Sequence, residues 1–388
     1  MPALVNGRVL TPKGLVEGRA VIIAEGRIAR LCPTEALPAH TEIHDLGGAI
    51  LAPGFIDIQV NGGGGFLLND DPSVETIAAI GAAHRRFGTT GFMPTLISDD
   101  LDVVARAIEA TRQAIAQGVP GVLGLHLEGP FLSAERKGVH DARKFRRLDE
   151  QALTLLTSLE VGRTLVTLAP EQATPQMIHR LVEAGVIVCA GHTNATYQEI
   201  RAAIDAGMSG FTHLFNAMSQ LTARAPGVVG AALEDQQTWC GMIVDGHHVD
   251  PVALRLALEC KPRDRFILVT DAMPTVGAAR KTFQLQGRTI TAENGVCVAP
   301  DGTLAGSDLD MAQAVRNAMS MLGLSFAEAV AMASLHPAQF LGLADLGAIA
   351  RGRRASLVAL DDALNVQSTW IDGAAQHLSS SEPNKRPH

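Results

Sequence analysis

The strongest constraint in this chain is a unit repeated eight times: a short apolar segment, usually bounded by glycine or proline, followed by a stretch with helical periodicity. Candidate segments cover residues 54–60, 91–95, 122–127, 165–169, 186–190, 210–212, 241–244 and 266–270. Near-continuous apolar runs of this length suit parallel strands buried on both faces. Helix starts are marked between them: Thr174-Pro175 and Asp250-Pro251 each place a capping side chain before a first-turn proline. Thr196 with Glu199, and Ser325 with Glu328, have the spacing of capping boxes. Eight strand–helix units in roughly 280 residues are the scale of a (β/α)8 TIM-like barrel, whose sites form at the C-terminal ends of the strands.

The flanks read differently. Residues 3–50 run in short β-type segments broken by Asn6-Gly7, Lys13-Gly14, Glu25-Gly26 and Gly47-Gly48, which are turn signals. So few strands cannot close a core alone. Residues 355–360 and 366–371 are again strand-like, so both termini are expected to build one small discontinuous β-sandwich. The expected division of this α/β chain is 1–52 for the first part of the sandwich, 53–340 for the barrel, 341–377 for the rest of the sandwich and 378–388 for a disordered tail.

Composition narrows the function classes. A chain of 388 residues with 47% hydrophobic content and mean hydropathy +0.16 can bury a large core. Net charge is −8, and the longest basic cluster is Arg143, Lys144, Arg146 and Arg147, so nucleic acid is not an expected partner. That cluster reads as a solvated face. No apolar run reaches the length of a membrane span, and no leader is recognised. The five cysteines, Cys32, Cys189, Cys240, Cys260 and Cys297, are scattered without a Cys-x-x-Cys pair, as expected of reduced thiols in cytoplasm.

Polar residues gather just past the candidate strands. The third ends at Glu128, stopped by Gly129-Pro130, and His126 two residues earlier shares its side of the strand. Taken alone, Glu128 reads equally well as a structural acid satisfied by loop amides. Other strand ends add Asp57, Gln59 and Asn61, then His192, His213, the group Asp245, His247 and His248, and finally Asp271. One carboxylate and two imidazoles from separate strands make three protein ligands, the count for a catalytic zinc that keeps a position open. No cysteine joins the set, which disfavours softer metals.

The motifs in order resemble those of the amidohydrolase superfamily, and within it a branch of amino-sugar-phosphate deacetylases. They are Pro53-Gly54-Phe55-Ile56-Asp57, Leu127-Glu128-Gly129-Pro130-Phe131, Lys137-Gly138-Val139-His140, Gly191-His192-Thr193-Asn194, Thr212-His213-Leu214-Phe215-Asn216-Ala217-Met218, Asp245-Gly246-His247-His248-Val249-Asp250, Thr270-Asp271-Ala272-Met273 and Leu304-Ala305-Gly306-Ser307. Superfamily members commonly carry His-x-His after the first strand, where this chain has Gln59 and Asn61. Amides are poor zinc ligands beside imidazole and carboxylate, so the resemblance implies one divalent metal, zinc, held by Glu128, His192 and His213, with Gln59 and Asn61 as vestigial positions.

The resemblance further implies Asp271 as general base and acid, and a substrate site of Val139, His140, Asn216, Ala217, Arg224, His248, Leu304, Ala305, Gly306 and Ser307. Of these, Asn216, Ala217, Arg224 and His248 would serve the phosphate, for which a guanidinium fork is suited. The implied reaction removes the acetyl group of N-acetyl-D-glucosamine 6-phosphate to give glucosamine 6-phosphate and acetate, in amino-sugar catabolism. The galacto epimer, another amidase activity and a non-catalytic relative are the alternatives. A cytoplasmic homodimer is implied, with Arg224 reaching into the neighbouring subunit. His126 and His247 are left without a role.

Overall fold

The structure, a computed structural model, describes residues 1–377; the tail expected at 378–388 lies outside them. Eight strands form one parallel sheet in chain order: β1 (Phe55–Val60), β2 (Thr89–Ile97), β3 (Gly124–Glu128), β4 (Arg163–Leu168), β5 (Ile187–Ala190), β6 (Gly210–Phe211), β7 (Trp239–Met242) and β8 (Phe266–Leu268). Each pairs with the next, as a singly wound barrel requires. Every residue of β1, β2 and β3 is buried, which is why these stretches read as unbroken apolar runs rather than as alternation.

The barrel closes between β8 and β1 by a seam just past the strands. The main-chain N–H of Asp271 donates to Gln59 O at 3.1 Å, and that of Asn61 to Ala272 O at 2.9 Å. Below these, the carboxyl of Asp57 meets Thr270 Oγ1 at 2.5 Å and takes the N–H of Gln59 at 3.2 Å. This seam brings Gln59, Asn61 and Asp271 together from opposite ends of the barrel sequence.

Helices cover the outside, and their starts follow local chemistry. Thr174 caps Pro175–Glu183, Asp250 caps Pro251–Cys260, and both expected capping boxes form, on Tyr197–Asp205 and Phe326–Ala333. Strands from both termini make two further sheets. One contains Pro2–Val5, Arg19–Ala24, Arg27–Pro33 and Glu42–Asp45; the other joins Arg8–Thr11, Gly14–Val16 and Ile50–Pro53 to Leu357–Leu360, Val366–Ile371 and Ala374–His377. Leu4, Val21, Ile28, Leu51, Leu357 and Trp370 pack between them in a core separate from that of the barrel. Arg85 ties the second sheet to the barrel through Thr369 Oγ1 at 3.0 Å and Ala374 O at 2.8 Å.

The sequence reading assigned nothing to an antiparallel sheet of four strands, Thr282–Leu285, Arg288–Glu293, Val296–Val298 and Leu304–Ser307. Its hairpin turns were visible in principle: Gln286-Gly287 and Asn294-Gly295 all have positive φ, the demand of a two-residue hairpin loop. The last of these strands delivers Leu304–Ser307 to the barrel mouth.

Asp57 generates a pH-dependent prediction. Burial, only partly opposed by the hydrogen bond to Thr270, pushes its carboxyl up to about 7. The folded state therefore binds more protons than the unfolded state between the ordinary carboxylate range and that value. This contribution to stability is complete below the unfolded pKa and is lost as pH rises through the folded one. In chelator, denaturant titrations should show Asp57→Asn gaining on the parent protein from pH 4 to 7, by up to about 1.4 kcal/mol per pH unit. A stability difference that is flat with pH would show that this carboxyl does not titrate in that range.

Candidate active site

Glu128 is the last residue of β3. The next residue, Gly129, has φ +97°, and a Cβ on it would stand 2.2 Å from Ser98 Oγ, so the turn that frees the carboxylate needs glycine. His192 and His213 stand just past β5 and β6, and Asp271 just past β8. Their φ angles are +48°, +33° and +52°, with Ala217 at +49°. Left-handed backbone at a non-glycine residue costs on the order of 1–3 kcal/mol. Such conformations gathered at one rim mark a place where side-chain position outweighs local stability.

The three side chains converge closely. Glu128 Oε1 lies 3.1 Å from His192 Nε2 and 3.0 Å from His213 Nε2, and the two nitrogens are 3.1 Å apart. His192 Nδ1 meets the carbonyl oxygen of Arg136 at 2.9 Å. A carbonyl only accepts, so Nδ1 carries the proton of the neutral ring and Nε2 offers a lone pair to a carboxylate oxygen. That contact is unfavourable without a proton or cation between the atoms. Ligands on a tetrahedral zinc with arms of about 2.0–2.1 Å stand about 3.3 Å apart, so the spacing fits a metal.

His140 is also near. Glu128, His140 and His192 form a potential metal-binding triad, with ligand atoms all within 4.8 Å of one another. His213 Nε2, 3.0 Å from Glu128 Oε1 and 3.1 Å from His192 Nε2, is placed as an alternative third ligand. His140 Nδ1 instead takes the N–H of Ser98 at 3.4 Å and lies 2.8 Å from its hydroxyl. Burial, reinforced by the nearby His192, drives the His140 pKa down to about 3, so the ring is neutral and its proton sits on Nε2 as a donor.

Charge is arranged around this cluster. Burial would raise the Glu128 carboxyl, but the adjoining His192 and His213 outweigh it and hold the group well below the usual carboxylate range. His213 is raised, burial being outweighed by Glu128. Its Nδ1 is buried with no hydrogen-bond partner among the described residues. Asp271 is pushed up to about 6, first by burial and then by the charge of Glu128, against His213, His248 and a bond from Asn61. Its Oδ1 accepts from Asn61 Nδ2 at 2.7 Å and Gln59 Nε2 at 3.1 Å. Gln59 Nε2 also reaches Glu128 Oε2 at 3.2 Å, so this amide lies between the two carboxylates.

A cavity of about 320 Å³ opens over the cluster. Glu128, His192, His213, Asp271 and Asn61 line it, as do Val139, His140, Asn216, Ala217, His248, Leu304 and Gly306. Gln59 sits beneath it. Ala305 packs into a small apolar cluster with Met273 and Ile97, and Ser307 Oγ donates to Thr270 O at 2.5 Å, so neither is among the residues lining the cavity. Arg224 is exposed, within the exposed stretch 221–226, and is not part of this lining either.

Two histidines left open by the sequence acquire surroundings. His247 Nε2 meets Asn294 O at 2.9 Å, joining the loop after β7 to the antiparallel sheet. His126 faces the barrel interior, with Nε2 2.8 Å from Thr167 Oγ1, and is not in the cavity lining. Asp245 Oδ2 holds His248 Nδ1 at 2.6 Å, which orients that ring. Sequence reasoning gave no role to Ile97, Glu135, Arg136, Gly138, Met273 and Thr303, which also line the cavity. Gly138 and Met273 lie inside recognised motifs and Arg136 and Thr303 adjoin them, which was the available signal.

Residues 50–375 match the amidohydrolase family, and residues 1–51 match the NagA composite domain. An N-acetylgalactosamine-6-phosphate deacetylase of Shewanella sp. (strain ANA-3) is 43% identical over 95% of this chain and 94% of its own length. An N-acetylglucosamine-6-phosphate deacetylase of Haemophilus influenzae is 35% identical over 96% and 98%. The crystal structure of N-acetylglucosamine-6-phosphate deacetylase from Pasteurella multocida superposes with a TM-score of 0.94 at 37% identity, covering 97% of this chain and 99% of that one. With a metal-compatible cluster at the mouth of an eight-stranded barrel and matches along nearly its whole length, the chain belongs to the amidohydrolase family.

Proposed function

We propose that this chain hydrolyses the acetamide of N-acetyl-D-glucosamine 6-phosphate, giving glucosamine 6-phosphate and acetate. The observation that carries the reading is the placement of Asp271, its carboxyl raised to about 6, beside the cluster of Glu128, His192 and His213 on one cavity. Those three residues would hold one divalent ion, zinc by the chemistry of its ligands. When bound, the ion supplies the charge that acidifies water and polarises the amide carbonyl.

The chain's own residues do the rest. Asp271 takes the proton from the attacking water as its oxygen bonds to the acetyl carbon, then returns it to the sugar nitrogen as the C–N bond breaks. Asn61 and Gln59 hold Asp271 Oδ1 in place for that exchange. His140 Nε2–H donates to the substrate from the cavity wall, and the sugar lies against Val139 and the 304–307 strand. His248, oriented by Asp245, joins Asn216 and Ala217 at the phosphate.

A galacto substrate is the second reading, favoured by the higher identity to the Shewanella relative, 43% against 35% for the Haemophilus one. One hydroxyl epimer is read by one or two contacts. Five cysteines without disulfide partners suit a reducing compartment, and we place the enzyme in the cytoplasm. No helix among the described residues is long and apolar enough to cross a membrane.

Acetate release should be measured on gluco and galacto N-acetylhexosamines with and without the 6-phosphate. The phosphorylated gluco sugar should have the highest kcat/KM; turnover of neither phosphorylated sugar would overturn the reading. Activity should fall as pH drops through the Asp271 pKa, at or below about 6, because the base must be ionised. Asp271→Asn should lower kcat by about 10²- to 10⁴-fold with the metal retained.

We further propose a homodimer in which Arg224 completes the neighbour's phosphate site, since its own cavity lacks it. Mixing Arg224→Ala with Asp271→Asn under subunit exchange should restore activity, because one of the two sites in a mixed dimer is then free of both defects. No recovery, with exchange confirmed, would place the arginine in its own subunit's site or outside any.

A further inference from the structure

His192 is gripped by the loop of residues 133–138. After β3 the chain crosses the barrel mouth, and three of its residues bear on this one histidine. Ser133 N–H donates to His192 O at 2.9 Å, and the Arg136 carbonyl meets His192 Nδ1 at 2.9 Å. Gly138 passes so close that a Cβ there would lie 3.2 Å from His192 Cε1. Of these, the Arg136 carbonyl decides chemistry, because it determines which ring nitrogen carries the proton.

The tether on that carbonyl comes from an amide two residues beyond the histidine. Asn194 Oδ1 accepts from Arg136 Nε at 2.9 Å, and Asn194 Nδ2 donates to the Glu135 carboxylate. Both ends of one amide are thus occupied by consecutive side chains of the loop, so it cannot turn over without breaking two bonds. Asn194 is itself anchored from β4: its N–H donates to Glu171 Oε1 at 2.7 Å, and Thr193 Oγ1 donates to Glu171 Oε2 at 2.5 Å. The segments that follow β3, β4 and β5 therefore meet at Asn194.

We infer that Asn194 is a positioning residue for the metal: through Arg136 and Glu135 it holds the Arg136 carbonyl on His192 Nδ1, so that the Nε2 lone pair faces the ion. The inference rests on the reading that Glu128, His192 and His213 hold that ion. Groups that fix the tautomer of an imidazole ligand typically change metal affinity by about 10- to 100-fold when removed. Glu135 needs only to accept, so a glutamine there can serve with its carbonyl oxygen; Asn194→Ala loses both bonds.

Two readouts on the full chain test this. The first is zinc affinity by competition with a chromophoric chelator. The second is the ¹⁵N spectrum of histidine-labelled, zinc-free protein, which reports the His192 tautomer directly. Asn194→Ala should bind zinc about 10- to 100-fold more weakly than the parent and lose the single Nδ1–H signature, whereas Glu135→Gln should stay within about twofold. Unfolding midpoints in chelator check that each variant is folded. Should Asn194→Ala prove poorly folded, Arg136→Ala decides by the same readouts and Arg136→Lys, which can still donate to Asn194, should restore both. Parent-like zinc affinity and tautomer in Asn194→Ala or Arg136→Ala would overturn the inference. If the parent protein itself binds no zinc, the metal reading fails, and the tautomer readout still decides the positioning claim.

Discussion

Two imidazole nitrogens and one carboxylate oxygen held about 3 Å apart at the mouth of a barrel are the constraint on which the rest of this structure depends. The Arg136 carbonyl leaves His192 Nε2 without a proton, so an acceptor faces an acceptor inside a buried site. Left alone, such a cluster opposes folding. Its persistence across three separate strand ends, with left-handed backbone at both histidines, shows packing imposing the arrangement from outside. A cation at the proposed site would relieve the conflict and would link metal binding to the fold.

The surrounding fold converts that requirement into chemistry. The seam between β8 and β1 carries Asp271 against Gln59 and Asn61, so the carboxyl proposed to exchange protons is built into barrel closure. The Gln59 amide bonds both Glu128 and Asp271. Gln59 and Asn61 both donate amide N–H groups to Asp271 Oδ1, and amides are poor ligands for a second ion. The antiparallel sheet closes the far side of the cavity with Thr303, Leu304 and Gly306.

Much of this was legible in the chain, for physical reasons. Strands buried on both faces leave unbroken apolar runs, so the barrel and its order were readable, and capping side chains fixed helix starts at Thr196 and Ser325. The antiparallel sheet escaped notice because its strands are half exposed and polar, as at Gln284 and Arg288, although its turns carried the usual glycines. Residues inside dense motifs, Glu128, His192, His213 and Asp271, could be picked out and do lie together. The pairing of Arg136 with Asn194 could not, although Asn194 closes a recognised motif, because that contact spans 58 positions and depends on a loop path that no local pattern encodes. Ser307 was grouped with substrate contacts, yet its hydroxyl is engaged with Thr270, since a motif records neighbours in sequence and not the direction of a side chain.

The most direct test is the metal content of protein purified without added metal and dialysed exhaustively. If Glu128, His192 and His213 hold one ion and Gln59 and Asn61 hold none, elemental analysis will give one equivalent of divalent metal per chain. His213→Ala will then lose that ion, and His140→Ala will keep it. Two equivalents retained, or an ion that follows His140 and not His213, would contradict the account.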